Sequence, residues 1–358
     1  MPSSPTPERF SARLLAWWDE AGRKDLPWQQ PRSAYRVWVS EIMLQQTQVS
    51  AVIPYFDRWM ARFPDVRSLA EADPDEVMSL WSGLGYYARA RNLHKAARIC
   101  MSRHGGILPG DPEELQALPG IGPSTANAIV SLAFDRPAAV LDGNVKRVLA
   151  RHAGIEGWPG TSGIQKILWK EAEARLPKQR AGDYSQAIMD LGATLCTRQA
   201  PACRECPVQA DCRANLFGLT NQIPAPRPKK PVPTRSVHML ILRDQQGRVL
   251  LQRRPPDGIW GGLWSLPEGE SSRQVRDRVG LDHRAAGAGE RRLPEFEHRL
   301  THVRMQISPV LMTLPPDAAL ECDSIKEGPE TAWFSPQEFR GIGLPKPVNE
   351  LLQKIESP

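Results

Sequence analysis

The chain of 358 residues has no apolar run of the length a bilayer-spanning helix needs, which excludes an integral helical membrane protein. Its opening residues, Met1-Pro2-Ser3-Ser4-Pro5, carry no basic patch ahead of an apolar stretch, so no secretory signal is read and a cytoplasmic, reducing setting is expected. Disulfides are not expected there. Internal repeats and extended low-complexity tracts are also absent. Charge of either sign is nearly balanced; the net +6 suits a polyanionic partner but also suits many proteins without one. Cysteine is scarce at six residues, yet four of them fall within seventeen positions while Cys100 and Cys322 stand alone. In a reducing compartment such clustering points to metal.

The length exceeds what one ordinary core accommodates, so two domains are expected. From Glu8 to about Leu216 the apolar spacing is helical: Phe10, Leu14, Trp17 and Trp18 share one face, as do Tyr35, Val39, Ile42 and Met43. Helical periodicity alone accounts for Trp17 and Trp18 as core residues. Residues 224–233, Pro-Ala-Pro-Arg-Pro-Lys-Lys-Pro-Val-Pro, can continue neither helix nor sheet and read as an extended spacer, whose Arg227, Lys229 and Lys230 are solvated or touch phosphate. Beyond it, Val237 to Leu242 and Val249 to Gln252 are strand-like around an Asp244-Gln245-Gln246-Gly247 turn. Val303, Met305 and Ile307 alternate with polar residues, and Val348, Leu351, Leu352 and Ile355 mark a terminal amphipathic helix. The expected division is residues 1–220 helical, 221–235 linker, and 236–358 α+β.

Cys196, Cys203, Cys206 and Cys212 leave gaps of six, two and five residues. Four thiolates suit a [4Fe–4S] cube or a tetrahedral zinc ion, and their chemistry alone does not separate the two. Leu118-Pro119-Gly120-Ile121-Gly122-Pro123-Ser124 has the form of a tight turn before a helix, whose free amides and partial positive charge suit a phosphate. Glu41 lies in an apolar helical stretch, Val39-Ser40-Glu41-Ile42-Met43-Leu44. A carboxyl desolvated there would hold a proton near neutral pH, whereas an ordinary helical glutamate would face water. Asp142, before Gly143-Asn144-Val145, reads locally as a helix N-cap.

Taken together these segments resemble the MutY adenine DNA glycosylases of the helix-hairpin-helix, endonuclease III superfamily. The likeness rests on the cysteine gaps, the hairpin, the run Ser-Glu-Ile-Met-Leu-Gln-Gln-Thr-Gln-Val (40–49) and Val-Leu-Asp-Gly-Asn-Val (140–145), and extends from about Phe10 to Ile355. It implies an all-α N-terminal helix-hairpin-helix glycosylase domain with a [4Fe–4S] cluster loop, plus an α+β Nudix-like C-terminal domain. It implies Glu41 as general acid, Asp142 as stabiliser of the electron-poor sugar, Asn144 as an orienting group and Gln186 as a reader of the adenine edge. Gln46 and Tyr86 match the wedge residues around the opposite base; Gly83-Leu84-Gly85-Tyr86-Tyr87, followed by Arg89 and Arg91, reads as a DNA-facing turn rather than a core aromatic. Gly120, Gly122 and Ser124 fall on the DNA-binding hairpin. Endonuclease III-like enzymes have a lysine where this chain has Ser124, so the resemblance implies hydrolysis without strand cleavage.

The segment Trp260 to Pro267, with Arg273 to Leu281, resembles a Nudix box whose acidic positions have become Gln274, Asp277 and Arg278. One carboxylate cannot replace a magnesium site, which opposes nucleotide hydrolysis. The resemblance implies a lesion reader instead, with Leu300-Thr301-His302 in place of Phe-Ser-His and Thr301 and His302 as the DNA-contacting pair. The expected partner is double-stranded DNA with adenine opposite 8-oxoguanine or guanine, met by a monomer with no membrane association. A catalytically inactive iron–sulfur DNA-binding protein is the competing class. The pairing of Glu41 with Asp142 argues against it.

Overall fold

The computed structural model describes residues 7–228, 231–281, 290–314 and 330–356. Lys229, Lys230 and Cys322 lie outside the described residues. The chain forms two compact units, residues 1–71 with 92–229 and residues 72–91 with 230–358.

The first unit is helical: α1 (Pro7–Ala21), α2 (Ala34–Leu44), α3 (Val49–Arg62) and α4 (Val66–Ala70) precede α5 (Pro74–Trp81), which belongs to the second unit. Then come α6 (Ala88–Arg103), whose first turn is shared with the second unit, α7 (Pro112–Gln116), α8 (Pro123–Phe134), α9 (Gly143–Ala153), α10 (Ser162–Ala174), α11 (Ala181–Thr194) and α12 (Arg213–Leu216). The starts follow local chemistry. Ser33 accepts from the Arg36 amide at the head of α2, Asp111 from Glu113 and Glu114 at the head of α7, and Pro123 occupies the first turn of α8, where its missing N–H costs nothing. The apolar stripes face inward as their periodicity predicts, with Phe10, Leu14 and Trp18 of α1 and Tyr35, Val39, Ile42 and Met43 of α2 buried, but Trp17, expected in the core, is only partly buried.

Helix α11 packs against α1, α8 and α9, and α2 packs against α8. One buried carboxylate ties α11 to the segment after α1. Asp190 accepts from Trp18 Nε1 at 3.3 Å, the Arg23 amide at 3.0 Å, Arg23 Nε at 2.9 Å, Arg23 Nη2 at 2.6 Å and Gln186 Nε2 at 2.9 Å. A charge this deep in the protein is tolerated because every lone pair is engaged.

The second unit is a mixed sheet: β1 (Thr234–Arg243), β2 (Val249–Arg253), β3 (Trp264–Ser265), β4 (Glu268–Gly269), β5 (Glu290–Arg292), β6 (Phe296–Arg299), β7 (Arg304–Thr313) and β8 (Thr331–Phe334). The order β3-β2-β1-β7-β5 has β4 beside β1, β6 beside β7 and β8 beside β2. β1 and β7 run parallel, from Thr234 opposite Arg304 to Arg243 opposite Thr313. Helix α13 (Ser272–Arg278) covers β1 and β4, burying Val275 and Val279 against Leu240, Leu242, Leu250 and Met312. Helix α14 (Lys346–Glu356) ends the described chain. The expected strands, the turn at Asp244–Gly247 and the terminal helix fall within these elements.

Residues 72–91 group by contact with this sheet. The reason is polar. Asp75 takes both Arg253 nitrogens, at 2.6 and 2.7 Å, and Trp264 Nε1 at 3.2 Å, while Ser79 and Ser82 each donate at 2.8 Å to the Arg340 and Leu344 carbonyls. Hydropathy patterns carry no trace of such pairings. Among the described residues, no helix is long and apolar enough to cross a membrane.

Removing the Asp190 carboxylate strands the Arg23 guanidinium and the Trp18 and Gln186 donors. Asp190→Ala is expected to cost about 3–5 kcal/mol, read as a lowered urea midpoint with the slope unchanged.

Candidate active site

Two carboxyl groups, Glu41 on α2 and Asp142 at the head of α9, interact electrostatically. On α2 the neighbours Val37, Trp38, Val39, Ile42 and Met43 are all buried, which leaves Glu41 half-buried within an apolar wall. Burial lifts its pKa to about 8, and the negative charge of Asp142 adds to the rise. Asp142 is the N-cap of α9, with its Oδ1 accepting from the Val145 amide at 2.7 Å. Its pKa is also raised, because burial outweighs the Val145 and Asn144 amides and the Arg147 and Lys146 charges that favour ionisation. Capping and desolvation act on the same carboxyl. The structure thus brings Glu41 and Asp142 into electrostatic contact.

The segment entering Asp142 is held from α8. Asn127 Nδ2 donates to the Ala139 carbonyl at 2.7 Å, and the Leu141 amide donates to Ser124 Oγ at 3.0 Å. Ser124 therefore has a structural task beside its place in the hairpin. In that hairpin Gly120 adopts φ +82, a left-handed conformation, and an added Cβ would stand 2.9 Å from the Asn92 Cβ. Gly122 is the N-cap of α8 and offers no side chain, so the first amides of α8 are left for an acceptor from outside.

Gln186, on α11, is 5% exposed and gives its Nε2 to Asp190. Asn144 Oδ1 accepts from Arg147 Nη2 at 2.8 Å, and the same guanidinium reaches the Gly192 carbonyl at 2.7 Å and, through Nε, the Cys196 carbonyl at 2.7 Å. Arg151, one turn further along α9, donates to Cys196 Sγ at 3.4 Å, to the Thr197 carbonyl at 2.6 Å and to the Arg198 carbonyl at 3.1 Å. Sequence reasoning missed Asn127, Arg147 and Arg151. The available signal was two arginines four apart on the helix that Asp142 caps.

Cys196, Cys203, Cys206 and Cys212 line one recess together with Arg151. Among the described residues no group of three or more His, Cys, Asp and Glu side chains is arranged to hold a metal ion. Burial pushes the Cys206 thiol up to about 12 and also raises Cys203 and Cys212, so ionising them needs compensating positive charge, which metal would supply. Outside the recess, Asp211 meets Arg13 Nη1 at 3.1 Å and His152 Nε2 at 3.4 Å, securing the loop.

Gln46 and Tyr86 share an uncommon backbone state. Their φ angles are 62 and 50, in the left-handed region that side-chain-bearing residues seldom enter, and both side chains are exposed. The turn after Tyr86 differs from its reading as a DNA-facing surface. Tyr86 is 42% exposed, but Tyr87 and Arg89 are buried. Arg89 Nη2 donates to the Leu84 and Gly85 carbonyls, and Arg91 Nη1 to the Gly261 carbonyl. These arginines close the turn, since a guanidinium has donors enough to satisfy loop carbonyls.

In the second unit Thr301 and His302 are exposed at the tip of the β6–β7 hairpin, closed by the Leu300 amide on the Val303 carbonyl at 2.9 Å. At the Nudix-like positions Gln274 Oε1 accepts from the Glu270 amide at 2.7 Å, and Arg278 Nη1 donates to the Glu268 carbonyl at 2.9 Å. Both side chains are spent on shaping the β4–α13 connection.

A glycine hairpin ahead of α8, a desolvated carboxyl pair and a four-cysteine recess in one helical unit accord with the class of base-excision DNA glycosylases, and residues 39–174 match the model of the HhH-GPD superfamily base excision DNA repair protein. Residues 238–354 match the NUDIX domain model. The chain belongs to the adenine DNA glycosylase family: it is 35% identical to the adenine DNA glycosylase of Buchnera aphidicola subsp. Baizongia pistaciae (strain Bp), covering 97% of each chain. It is 34% identical to that of Mus musculus, over 97% of this chain and 78% of the relative. Among solved structures, a thermostable thymine-DNA glycosylase aligns with TM-score 0.54 at 27% identity, over 59% of this chain and 97% of that one. A non-covalent endonuclease III–DNA complex, at 22% identity and TM-score 0.51, over 60% of this chain and 99% of that one, shares the fold.

The raised Glu41 pKa also sets a stability trend. A folded carboxyl that titrates near 8 against an unfolded value of 4.5 binds more protons folded than unfolded in that window. Its contribution is complete below 4.5 and is lost as pH rises toward 8. Glu41→Gln removes the loss, so its urea midpoint should exceed that of the unmodified protein by an amount that grows from pH 5 to pH 8.

Proposed function

We propose that this protein hydrolyses the N-glycosidic bond of adenine paired with 8-oxoguanine or guanine in duplex DNA, leaving an abasic site without cutting the strand. The observation that carries the reading is Glu41, set in an apolar stretch of α2 where burial lifts its pKa to about 8, in electrostatic contact with the capped Asp142. Adenine leaves poorly as an anion. Glu41 gives its proton to the base, the C1′–N bond breaks with its electron pair moving onto the neutral leaving adenine, and Asp142 offsets the positive charge developing on the sugar. Water adds its oxygen to C1′, and its proton returns to the carboxylate.

Around this centre the other residues take supporting roles. With Nε2 held by Asp190, Gln186 presents its carbonyl oxygen to the adenine amino group. Asn144, fixed by Arg147, orients the water or the sugar at the head of α9. Flipping a base costs a few kcal/mol of stacking, and the exposed, strained Gln46 and Tyr86 fill the space it leaves. Gly120, Gly122 and Ser124 take a backbone phosphate through the open amides of α8, and Thr301 and His302 read the lesion opposite adenine. Ser124 has a hydroxyl where an amine would be needed for a Schiff base, and that hydroxyl is already bonded to the Leu141 amide.

The family and the fold suggest a metal cluster, and four cysteines lining one recess fit a [4Fe–4S] cube. Cys196, Cys203, Cys206 and Cys212 would hold it. Such a cluster supplies cross-linking of the loop and positive charge beside the thiolates.

The test is duplex DNA carrying adenine opposite 8-oxoguanine or guanine. Adenine release with strand breakage only after hot alkali is expected, and borohydride should trap no covalent complex. Glu41→Gln should lower the single-turnover rate by about 10²–10⁴-fold with binding retained, and the rate of the unmodified protein should fall as pH passes about 8. Tight binding with no adenine release would sink the reading. Cys206→Ala should lose bound iron, inorganic sulfide and visible absorption, which metal analysis reads directly; a colourless, zinc-bearing unmodified protein would overturn the cluster assignment.

A further inference from the structure

Among the described residues of the sheet unit, two that carry side chains take a left-handed φ: Tyr86 at 50 and Trp260 at 57. Such backbone persists where its surroundings over-determine it. One side chain joins the surroundings of the two. Arg91 gives its amide to the carbonyl of Tyr87, directly after Tyr86, at 3.2 Å, and its Nη1 to the carbonyl of Gly261, directly after Trp260. Its stem lies on the same turn: a Cβ added at Gly262 would stand 3.3 Å from Arg91 Cδ, and the charge of Asp257 also acts on the guanidinium.

The Trp260 turn is itself tightly fastened. The Gly262 amide donates to the Pro255 carbonyl at 3.1 Å and the Leu263 amide to the Trp260 carbonyl at 3.1 Å, while a Cβ at Gly261 would stand 2.3 Å from the Pro256 carbonyl oxygen, so no side chain fits there. Trp260 is buried, and its ring centroid lies 5.7 Å from that of His298 on β6. His298 pairs with Met305 of β7, and the hairpin closes between Leu300 and Val303, with Thr301 and His302 exposed at its tip. At the other end, Arg89 holds the Leu84 and Gly85 carbonyls behind Tyr86. The exposed tyrosine and the exposed hairpin tip are thus two ends of one series of contacts, with Arg91 in its middle.

We infer that Arg91 is a positioning residue that fixes the Tyr86 turn against the Thr301–His302 hairpin, so that the two grip the base opposite adenine as one unit. The inference rests on the proposed roles of Tyr86, Thr301 and His302 and goes beyond them, because it assigns their cooperation to a guanidinium engaged by a protein carbonyl. Packing alone accounts less well for the arrangement. Glycine would take the φ of Trp260 without strain, yet a tryptophan stands there, and its ring packs on His298.

The experiment is a double-mutant cycle on affinity. The full-length protein is titrated with a duplex carrying 2′-fluoro-2′-deoxyadenosine, whose base resists release, opposite 8-oxoguanine, and Tyr86→Ala, His302→Ala and the double variant are compared. The binding loss of the double variant is expected to fall short of the product of the two single losses by about tenfold. In an Arg91→Met background that coupling should shrink to within about twofold of none, and Arg91→Lys, which keeps a donor for the Gly261 carbonyl, should restore part of it. His298→Ala, at a half-buried position, opens the second joint and should also remove the coupling, which keeps the test decisive if Arg91→Met fails to fold. A merely structural Arg91 would lower the urea midpoint and leave the coupling intact, which would overturn the inference, as would single losses that simply multiply while Arg91 is present. Affinity for the lesion duplex no higher than for an adenine–thymine duplex would overturn the lesion reading, and this inference with it.

Discussion

Desolvation of two carboxyl groups is the constraint around which the helical unit is organised. Under the proposed reaction, an acid that holds a proton near neutral pH needs an apolar surround, while its neighbouring carboxyl answers positive charge. The protein meets both demands by asymmetry. Glu41 has Trp38, Ile42 and Met43 around it and owes its shift first to burial, while Asp142 retains the Val145 amide and the nearby Arg147 and Lys146 charges. Burial raises both, and only Asp142 also sits at a helix N-terminus, whose amides oppose the rise.

Helix α9 carries that asymmetry into the rest of the unit. Its first turn is capped by Asp142, its second places Arg147 between Asn144 and the Cys196 carbonyl, and its third sets Arg151 against Cys196 Sγ. The carboxyl site and the cysteine recess are therefore opposite ends of one short helix.

The sheet unit follows a different logic. Its box positions carry Gln274 and Arg278, which bond to backbone near β4. Carboxylates there would gather cations, whereas guanidiniums gather anions. The same sheet also recruits residues 72–91 through Asp75, so a segment that is helical by pattern belongs by contact to the β unit.

Much of this was legible in the residues. Helical stripes, the Gly120 turn, the Asp142 cap, the strands of the second unit and the cysteine gaps all arise from interactions between near neighbours in the chain, and such interactions leave a period or a spacing behind. The inward turn of Arg89 and Arg91 was not legible, because an arginine reads the same in sequence whether it faces phosphate or a loop carbonyl. Nor were Asn127, Arg147 and Arg151, whose partners stand 12 to 49 residues away along the chain. The amino-acid order by itself determined the family, the identity of the paired carboxyls and the four-thiol loop. Tertiary structure alone decided that burial raises the Glu41 pKa and that Ser124 braces the Leu141 amide ahead of Asp142, because burial and long-range pairing are sums over neighbours that the chain brings together only when it folds.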